Sequence, residues 1–539
     1  MKLLQIHAPA FYDFRKHYTY YGPISDVIPS SPIFDMYPLG FVSIASHLEK
    51  AGHRAKILNL AAMMLMERNY DADKRLQKIN ADIVSIDLHW LVHAQGALEV
   101  AKIIKEYHPD IPIVFGGLSS TYFWKELIRY PQVDFIVLGD TTELPMEQLL
   151  NSLEKGKPLD DIPNLIWKKA SNQVVMNKFS YVPSRVPFID YDVLASRLIR
   201  TRHWKEWLPY ASFIEAPITA IFTIKGCMFN CKTCGGSNFS YRTFFNRQKL
   251  AVKNPYDILK EVKFISDYTK VAIFFVGDLR TTGHAYEIID LLRREKIENP
   301  LIFEFFSPPS KSYLKKLRTA SEGDILLQIS PESHDDVVRN AFGRPYSTAS
   351  LLKFIRTAKE LDFTRLDLYF MIGLPKQTYE SAIKTAEFAG SLVDEKLDAF
   401  IAPLAPFVDP GSMVFENPEQ FGYRLLFKSL EEHRRAFYAR HWSQYLNYET
   451  VEMNRETIAK ASNNAILKLA ELKYERGKLS EKELCHVQEA VTLVKNGDSN
   501  VDHIVHRREE LYPTKNFLKL IRLKPKTVYY FLKLLFGGL

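Results

Sequence analysis

The sequence predicts an α/β protein in three parts: a doubly wound N-terminal domain, a full or partial (β/α) barrel, and a C-terminal helical region. Three observations carry this. Short apolar runs alternate with helical periods over residues 1–155, and the alternation resumes over 206–415. Between them, 156–205 is irregular and holds Pro158, Pro163, Pro183 and Pro187, as a linker does. Past 416 the strand patterns cease. A chain of 539 residues also exceeds one ordinary domain.

In the first part LLQIHAP, AKILNL, ADIVSIDL, IPIVFGG and VDFIVLG read as buried strands. FVSIASHLEKAG, HAQGALEVAKIIKEYH and TELPMEQLLNSLEKG have helical spacing between them. Ligands on such sheets sit beyond the carboxyl ends of the strands. In the linker, NLIWKK and QVVMNKF form an expected small hairpin. The second part supplies ITAIFTIKG, VAIFFVGD, LIFEFFSP, DILLQISPE, LDLYFMIGLP and LDAFIAPLAP as strands, with helices such as NPYDILKEVKFISDY and STASLLKFIRTAKEL. In 416–510, LLFKSLEEHRRAFYARHW and TIAKASNNAILKLAELKYERG carry the helical pattern.

The composition is 46% hydrophobic and 25% charged, which suits a globular protein with a sizeable core. No apolar run is long enough to span a bilayer, and the start MKLLQIHAPAFYDF reads as a first strand, so a cytoplasmic location is expected. The net charge is +8, but residues 511–539 carry six Lys or Arg and no acid, which leaves +2 for the rest. A general nucleic-acid-binding surface is therefore not expected. Residues 515–536 interleave basic and large apolar side chains. That pattern suits either peripheral contact with the inner membrane face or a helix docked on the core, and Pro525 kinks any helix through it.

Only four cysteines occur, and Cys227, Cys231 and Cys234 lie within eight residues. This argues for metal-binding thiolates in a reducing compartment rather than a disulfide framework. Three thiolates on one loop, directly after a strand, can bind three corners of a cubic iron–sulfur cluster and leave one iron open. A structural zinc site is normally closed by four ligands, and the nearest histidines, such as His203, lie outside the loop. A zinc loop or three buried thiols is the competing reading. Cys485, on an expected helix, reads as an ordinary buried thiol.

This C-x3-C-x2-C run resembles the radical S-adenosylmethionine (SAM) superfamily. The resemblance implies a [4Fe-4S] cluster on Cys227, Cys231 and Cys234 whose open iron chelates the amino and carboxylate groups of SAM. The cluster's electron then cleaves SAM to a 5′-deoxyadenosyl radical. It also implies SAM contacts at strand ends: Gly277 and Asp278 at the amino group, Ser330 and Glu332 near the ribose, and Gly373 near adenine. Two positions depart from the family: Val276 replaces a glycine, and Thr233 stands where many members carry an aromatic residue, a role left to Phe229.

The first domain resembles the Rossmann-like cobalamin-binding domains fused ahead of radical SAM barrels. The similarity rests on Pro38-Leu39-Gly40, Gly116-Gly117 and Gly139-Asp140 with Glu143, in that order. A bare glycine pair lets the backbone approach a bulky tail. The loop from Asp87 to Gly96 follows the third strand and is expected under the corrin, with Ser85, Asp87, His89 and Trp90 as candidates to face it. It superficially resembles an Asp-x-His-x-x-Gly motif, but its spacing and strand differ, so no histidine is assigned as a cobalt ligand. His89 and His93 read equally as satisfied structural histidines. A degenerate domain that only shapes the substrate cavity is the alternative.

Together the resemblances imply a cobalamin-dependent radical SAM enzyme methylating an unactivated carbon of a small-molecule or lipid substrate. They also imply an electron donor such as ferredoxin or flavodoxin. A second reading is radical cyclisation or carbon–carbon coupling on a membrane lipid. It rests on a likeness of residues 21–30, the Leu-His-Trp loop and the basic tail to archaeal proteins of this architecture, and an apolar funnel between the domains would favour it. A third reading, of another class, is a non-catalytic redox or cobalamin-sensing module.

Overall fold

The computed structural model describes residues 1–16, 34–67, 69–169, 173–201, 203–403, 408–439 and 441–496. The segments 21–30 and 511–539, with their expected lipid and membrane features, lie outside the described residues.

Strands β1 (Lys2–His7), β2 (Arg54–Asn59), β3 (Ile83–Asp87), β4 (Ile113–Gly116) and β5 (Phe135–Val137) form a parallel sheet in the order 2-1-3-4-5. All five residues of β3 are buried, as expected of a strand covered on both faces. Helices Gly40–Lys50, Ala94–Tyr107 and Glu143–Lys155 fall in the predicted windows. The hairpin β6 (Leu165–Lys168) and β7 (Val174–Met176) does not stand alone: β6 pairs antiparallel with β5, so the hairpin extends the sheet to seven strands.

The second sheet begins with β8 (Ile218–Phe222). A short antiparallel pair, β9 (Ile224–Lys225) with β10 (Ala251–Val252), then brackets the cysteine loop. Strands β11 (Ala272–Val276), β12 (Leu301–Phe305), β13 (Ile325–Glu332), β14 (Arg365–Ile372) and β15 (Leu397–Pro403) follow. All six are parallel, in the order 8-11-12-13-14-15, with β8 and β15 as edges. The result is a partial barrel. Alternate residues such as Ile273 and Phe275 pack outward into the core, while Phe274 and Val276 face inward. Helix Pro255–Tyr268 starts where predicted because Pro255 suits the first turn and Asn254 accepts from the Tyr256 N–H.

The region past 416 is less helical than predicted. The window 425–442 is broken: Leu425 ends β16 (Tyr423–Leu425), which pairs with β17 (Tyr448–Thr450), and the helix itself covers only Leu430–Ala436. The reason is local, since Ser429 and Glu432 form a capping box that fixes the helix start. This segment ties back to the first domain: the Tyr122 and Tyr130 hydroxyls donate to Glu416 and Glu431 at 2.7 Å, and the Leu430 N–H donates to Glu126 at 2.8 Å. The long helix Arg455–Glu475 packs on Tyr379–Leu392. Cys485, expected to be buried, is exposed, because its helix Glu481–Asn496 rests on Arg455–Glu475 along one side and Cys485 falls on the other. No described helix is long and apolar enough to cross a membrane.

Candidate active site between the two sheets

The cysteine loop leaves β9 through Gly226 at φ +94°, where a Cβ would lie 2.9 Å from the Arg247 side chain. All four cysteines are free thiols. Main-chain N–H groups of Phe229 and Gly236 point at the sulfurs of Cys227 and Cys234 at 3.4 and 3.3 Å. Such donors are the usual means of stabilising cluster thiolates. Burial pushes the Cys231 thiol up to about 11, so without metal these groups are neutral. The loop is fastened from outside: Lys232 N–H donates to the Phe342 carbonyl at 2.8 Å, Asp409 N–H to that of Thr233 at 3.1 Å, and Val414 N–H to that of Lys232 at 3.0 Å. Among the described residues no three His, Cys, Asp or Glu side chains are grouped as for a single metal ion. Three free thiols on a fastened loop, two of them met by N–H donors, fit a cluster.

The SAM candidates gather at the strand ends but differ in availability. The Phe229 ring packs edge-on against Phe306, with centroids 5.4 Å apart. Asp278, expected to meet the SAM ammonium, is already occupied: Arg280 donates its N–H and Nε to Oδ1 at 3.1 and 2.9 Å, and Nη2 to Oδ2 at 2.5 Å. Asp278 is 1% exposed and absent from the cavity wall described below. Its carboxylate caps the turn Leu279–Thr282 instead. The available acid is Glu304 on β12, which sequence reasoning missed. It lines the cavity and accepts from the Gly277 N–H. Burial pushes its carboxyl up to about 7. Glu332 sits at φ +67°, is 1% exposed, and has one oxygen without a donor among the described residues. Burial raises it too to about 7, against the pull of Arg344. Gly373 is needed for a packing reason: at φ +92° a Cβ there would lie 2.3 Å from the Tyr448 hydroxyl. Ser330 lines the cavity, whereas Phe229, Gly277, Glu332 and Gly373 lie outside its wall.

That cavity, of about 1890 Å³, is larger than a single drug-sized pocket and lies between the two sheets. All nine residues expected at cobalamin line it: Pro38, Leu39, Ser85, Asp87, His89, Trp90, Gly116, Gly117 and Gly139. Its opposite wall is the inner face of the barrel, including Phe222, Phe274, Ile302, Tyr369, Met371 and Phe400. On the first-domain side, Gln5 Oε1, Ser85 Oγ and Asp87 Oδ2 are buried polar atoms without partners among the described residues. Such atoms are costly unless a ligand meets them, so this wall fits a group with polar substituents. The other Asp87 oxygen accepts from His7 Nδ1 at 2.9 Å, and His7 Nε2 faces the Phe34 carbonyl at 3.1 Å. Burial would raise Asp87, but the His7 charge and hydrogen bond hold it below the usual carboxylate range. His89 and His93 are pushed down by burial, to about 4 and about 3, and stay neutral. His93 Nδ1 pairs with the Ala8 carbonyl at 2.9 Å, whereas its Nε2 has no partner among the described residues.

The two halves meet at Asp140, just past β5. Arg247 grips it through Nε and Nη2 at 2.5 and 2.8 Å and donates to the Pro183 carbonyl at 2.9 Å. Lys225, two residues before Cys227, donates to the Asp140 carbonyl at 2.8 Å. The latch therefore fixes the cysteine loop against the first domain.

Residues 27–149 match the B12 binding domain family and residues 221–389 the radical SAM superfamily. The chain is a radical SAM protein with a B12-binding domain ahead of its barrel. An uncharacterised methyltransferase of Pyrococcus horikoshii is 26% identical over 391 residues, spanning 70% of this chain and 78% of the relative. The fold is similar to that of the radical SAM methyltransferase TsrM from Kitasatospora setae with cobalamin and [4Fe-4S] cluster bound. That match has a TM-score of 0.59 and 12% identity over 93% of this chain and all of that one. It is also similar to the cobalamin-dependent radical enzyme OxsB with aqua-cobalamin and SAM bound, with a TM-score of 0.54 and 15% identity over 95% of this chain and 75% of that one.

Proposed function

We propose that the chain is a cobalamin-dependent radical SAM methyltransferase acting on an unactivated carbon of a small-molecule or lipid substrate. The observation that carries this reading is the single cavity onto which the strand ends of the first sheet and the inner face of the barrel both open. When bound, the cluster, SAM and cobalamin supply hydrogen abstraction and a transferable methyl group; the protein supplies binding, orientation and exclusion of water. Cys227, Cys231 and Cys234 hold the cluster. Glu304 takes the SAM ammonium in place of Asp278, with Glu332 and Ser330 toward the ribose and Phe229, Gly277 and Gly373 framing the rest. Ser85, Asp87, His89 and Trp90 face the corrin, while Pro38, Leu39, Gly116, Gly117 and Gly139 admit its tail. Electrons come from a donor of the ferredoxin or flavodoxin kind.

The apolar barrel wall also favours the second reading, a ring closure or coupling on a lipid, to which a peripheral membrane contact through 515–536 is suited. One experiment separates the two. Anaerobically reconstituted protein is reduced with trideuteromethyl-labelled SAM in extract of a deletion strain, and products are followed by mass spectrometry. Methylation gives 5′-deoxyadenosine together with labelled product. The nucleoside with an unlabelled, hydrogen-depleted lipid supports the second reading. Absence of the nucleoside contradicts both and restores a sensing role.

A further inference from the structure

Arg344 is a buried cation whose pairing is incomplete. It is 7% exposed, yet among the described residues its guanidinium meets only two acceptors: the Phe306 carbonyl from Nη1 at 3.2 Å and Glu332 Oε1 from Nη2 at 3.4 Å. Its buried Nε has no acceptor among the described residues. Its guanidinium carbon stands 4.9 Å from the Phe306 ring centre and 6.0 Å from that of Phe229. The contrast with two other buried arginines is plain. Arg247 grips both oxygens of Asp140, and Arg339 reaches Asp336, Thr348 and three carbonyls. Glu332 is a weak counterion for Arg344, because it meets the guanidinium through one long contact of 3.4 Å and its other oxygen has no donor among the described residues. A buried charge without full compensation is costly unless an anion arrives.

The place of Arg344 identifies that anion. It follows Gly343, where a Cβ would lie 2.7 Å from the Asn230 carbonyl oxygen and 3.2 Å from the Cys231 Cα. The preceding carbonyl, of Phe342, holds Lys232. Arg344 is thus pinned beside the cysteine loop. A cubane with three thiolates is anionic, and its reduction adds one more negative charge. A fixed cation in dry surroundings favours the reduced state over the oxidised one, since net charge and solvent exposure set cluster potentials.

We propose that Arg344 is the built-in countercharge of the cluster, a positioning residue that raises the reduction potential of the three-thiolate cubane before SAM binds. The proposal rests on the reading of Cys227, Cys231 and Cys234 as cluster ligands. The test uses the full chain and its Arg344→Gln and Arg344→Lys variants, each reconstituted anaerobically without SAM. Iron and sulfide are quantified, and the midpoint potential is followed by electron paramagnetic resonance during titration with dithionite. The expected result is a lower midpoint in Arg344→Gln at equal iron content, with Arg344→Lys close to wild type. Loss of the cluster in Arg344→Gln with retention in Arg344→Lys also supports the countercharge. An unchanged midpoint in Arg344→Gln, or equal shifts or losses in both variants, overturns it. Wild-type protein that takes up no iron would instead remove the cluster reading itself, and the proposal with it.

Discussion

Gly117 stands at φ +115° with its missing Cβ 2.6 Å from the His89 Cα, so the loop after β4 is packed directly on the loop after β3. Alanine there has to shift backbone, not a flexible side chain. Gly117→Ala is expected to cost about 2 kcal/mol or more in thermal or chemical unfolding and to weaken cobalamin uptake. Gly40→Ala, at a helix start with nothing within 4 Å, is expected to stay within about 1 kcal/mol of wild type. Glu304 makes a pH-dependent prediction. Its carboxyl in the fold lies near 7, above the ordinary 4.5, so the fold prefers the neutral form. That contribution is complete below the ordinary value and is lost as pH rises through about 7. Glu304→Gln keeps a neutral group at every pH, so unfolding without SAM should show about 1–2 kcal/mol less loss of stability between weakly acid and weakly alkaline pH than wild type. Wild-type and variant curves that run parallel would remove the buried, neutral carboxyl. The cysteine candidates could be named from sequence because their spacing along one loop is itself the signal. Glu304 and Arg344 could not: Glu304 is one letter in the apolar run LIFEFF, and its place beside Gly277 depends on the register of β11 with β12. The pairing of Asp278 was not readable either, because its partner Arg280 is two residues on and looks like any surface arginine.

At the scale of elements, the latch between β5 and the cysteine loop is the most exposed to test. Asp140 and Arg247 have side chains 7% and 2% exposed. Removing one partner of a buried pair leaves the other uncompensated, so Asp140→Ala should destabilise by about 3–5 kcal/mol in chemical denaturation. Asp140→Asn, which keeps an acceptor oxygen, should cost less. Equal stability of all three proteins would mean that the halves are held elsewhere. The strands of both sheets were readable because they are short buried apolar runs bounded by glycine, proline or polar turns. The hairpin's attachment was not readable, since the pairing of β6 with β5 is long-range and antiparallel in an otherwise parallel sheet. The 425–442 window failed for two reasons: β17 commits the chain up to Leu425 to β16, and the Ser429–Glu432 capping box delays the helix start to Leu430.

For the whole molecule, the decisive arrangement is the facing of two sheets across one cavity, which no motif encodes. Order along the chain suggested it, and packing of the segment past Ser412 against Tyr122, Glu126 and Tyr130 closes it. Cys231→Ala should abolish the cluster without abolishing cobalamin binding, because the wall proposed for cobalamin is built from the other sheet. Cys485→Ala, on the exposed helix, should change neither. The most direct test of the central claim is electron paramagnetic resonance of the anaerobically reconstituted, reduced protein before and after SAM is added. An iron–sulfur signal of about four irons per chain that changes on SAM binding is the result expected of SAM docked at an open cluster corner. A signal indifferent to SAM, or a protein that holds one zinc ion and no iron, would contradict it.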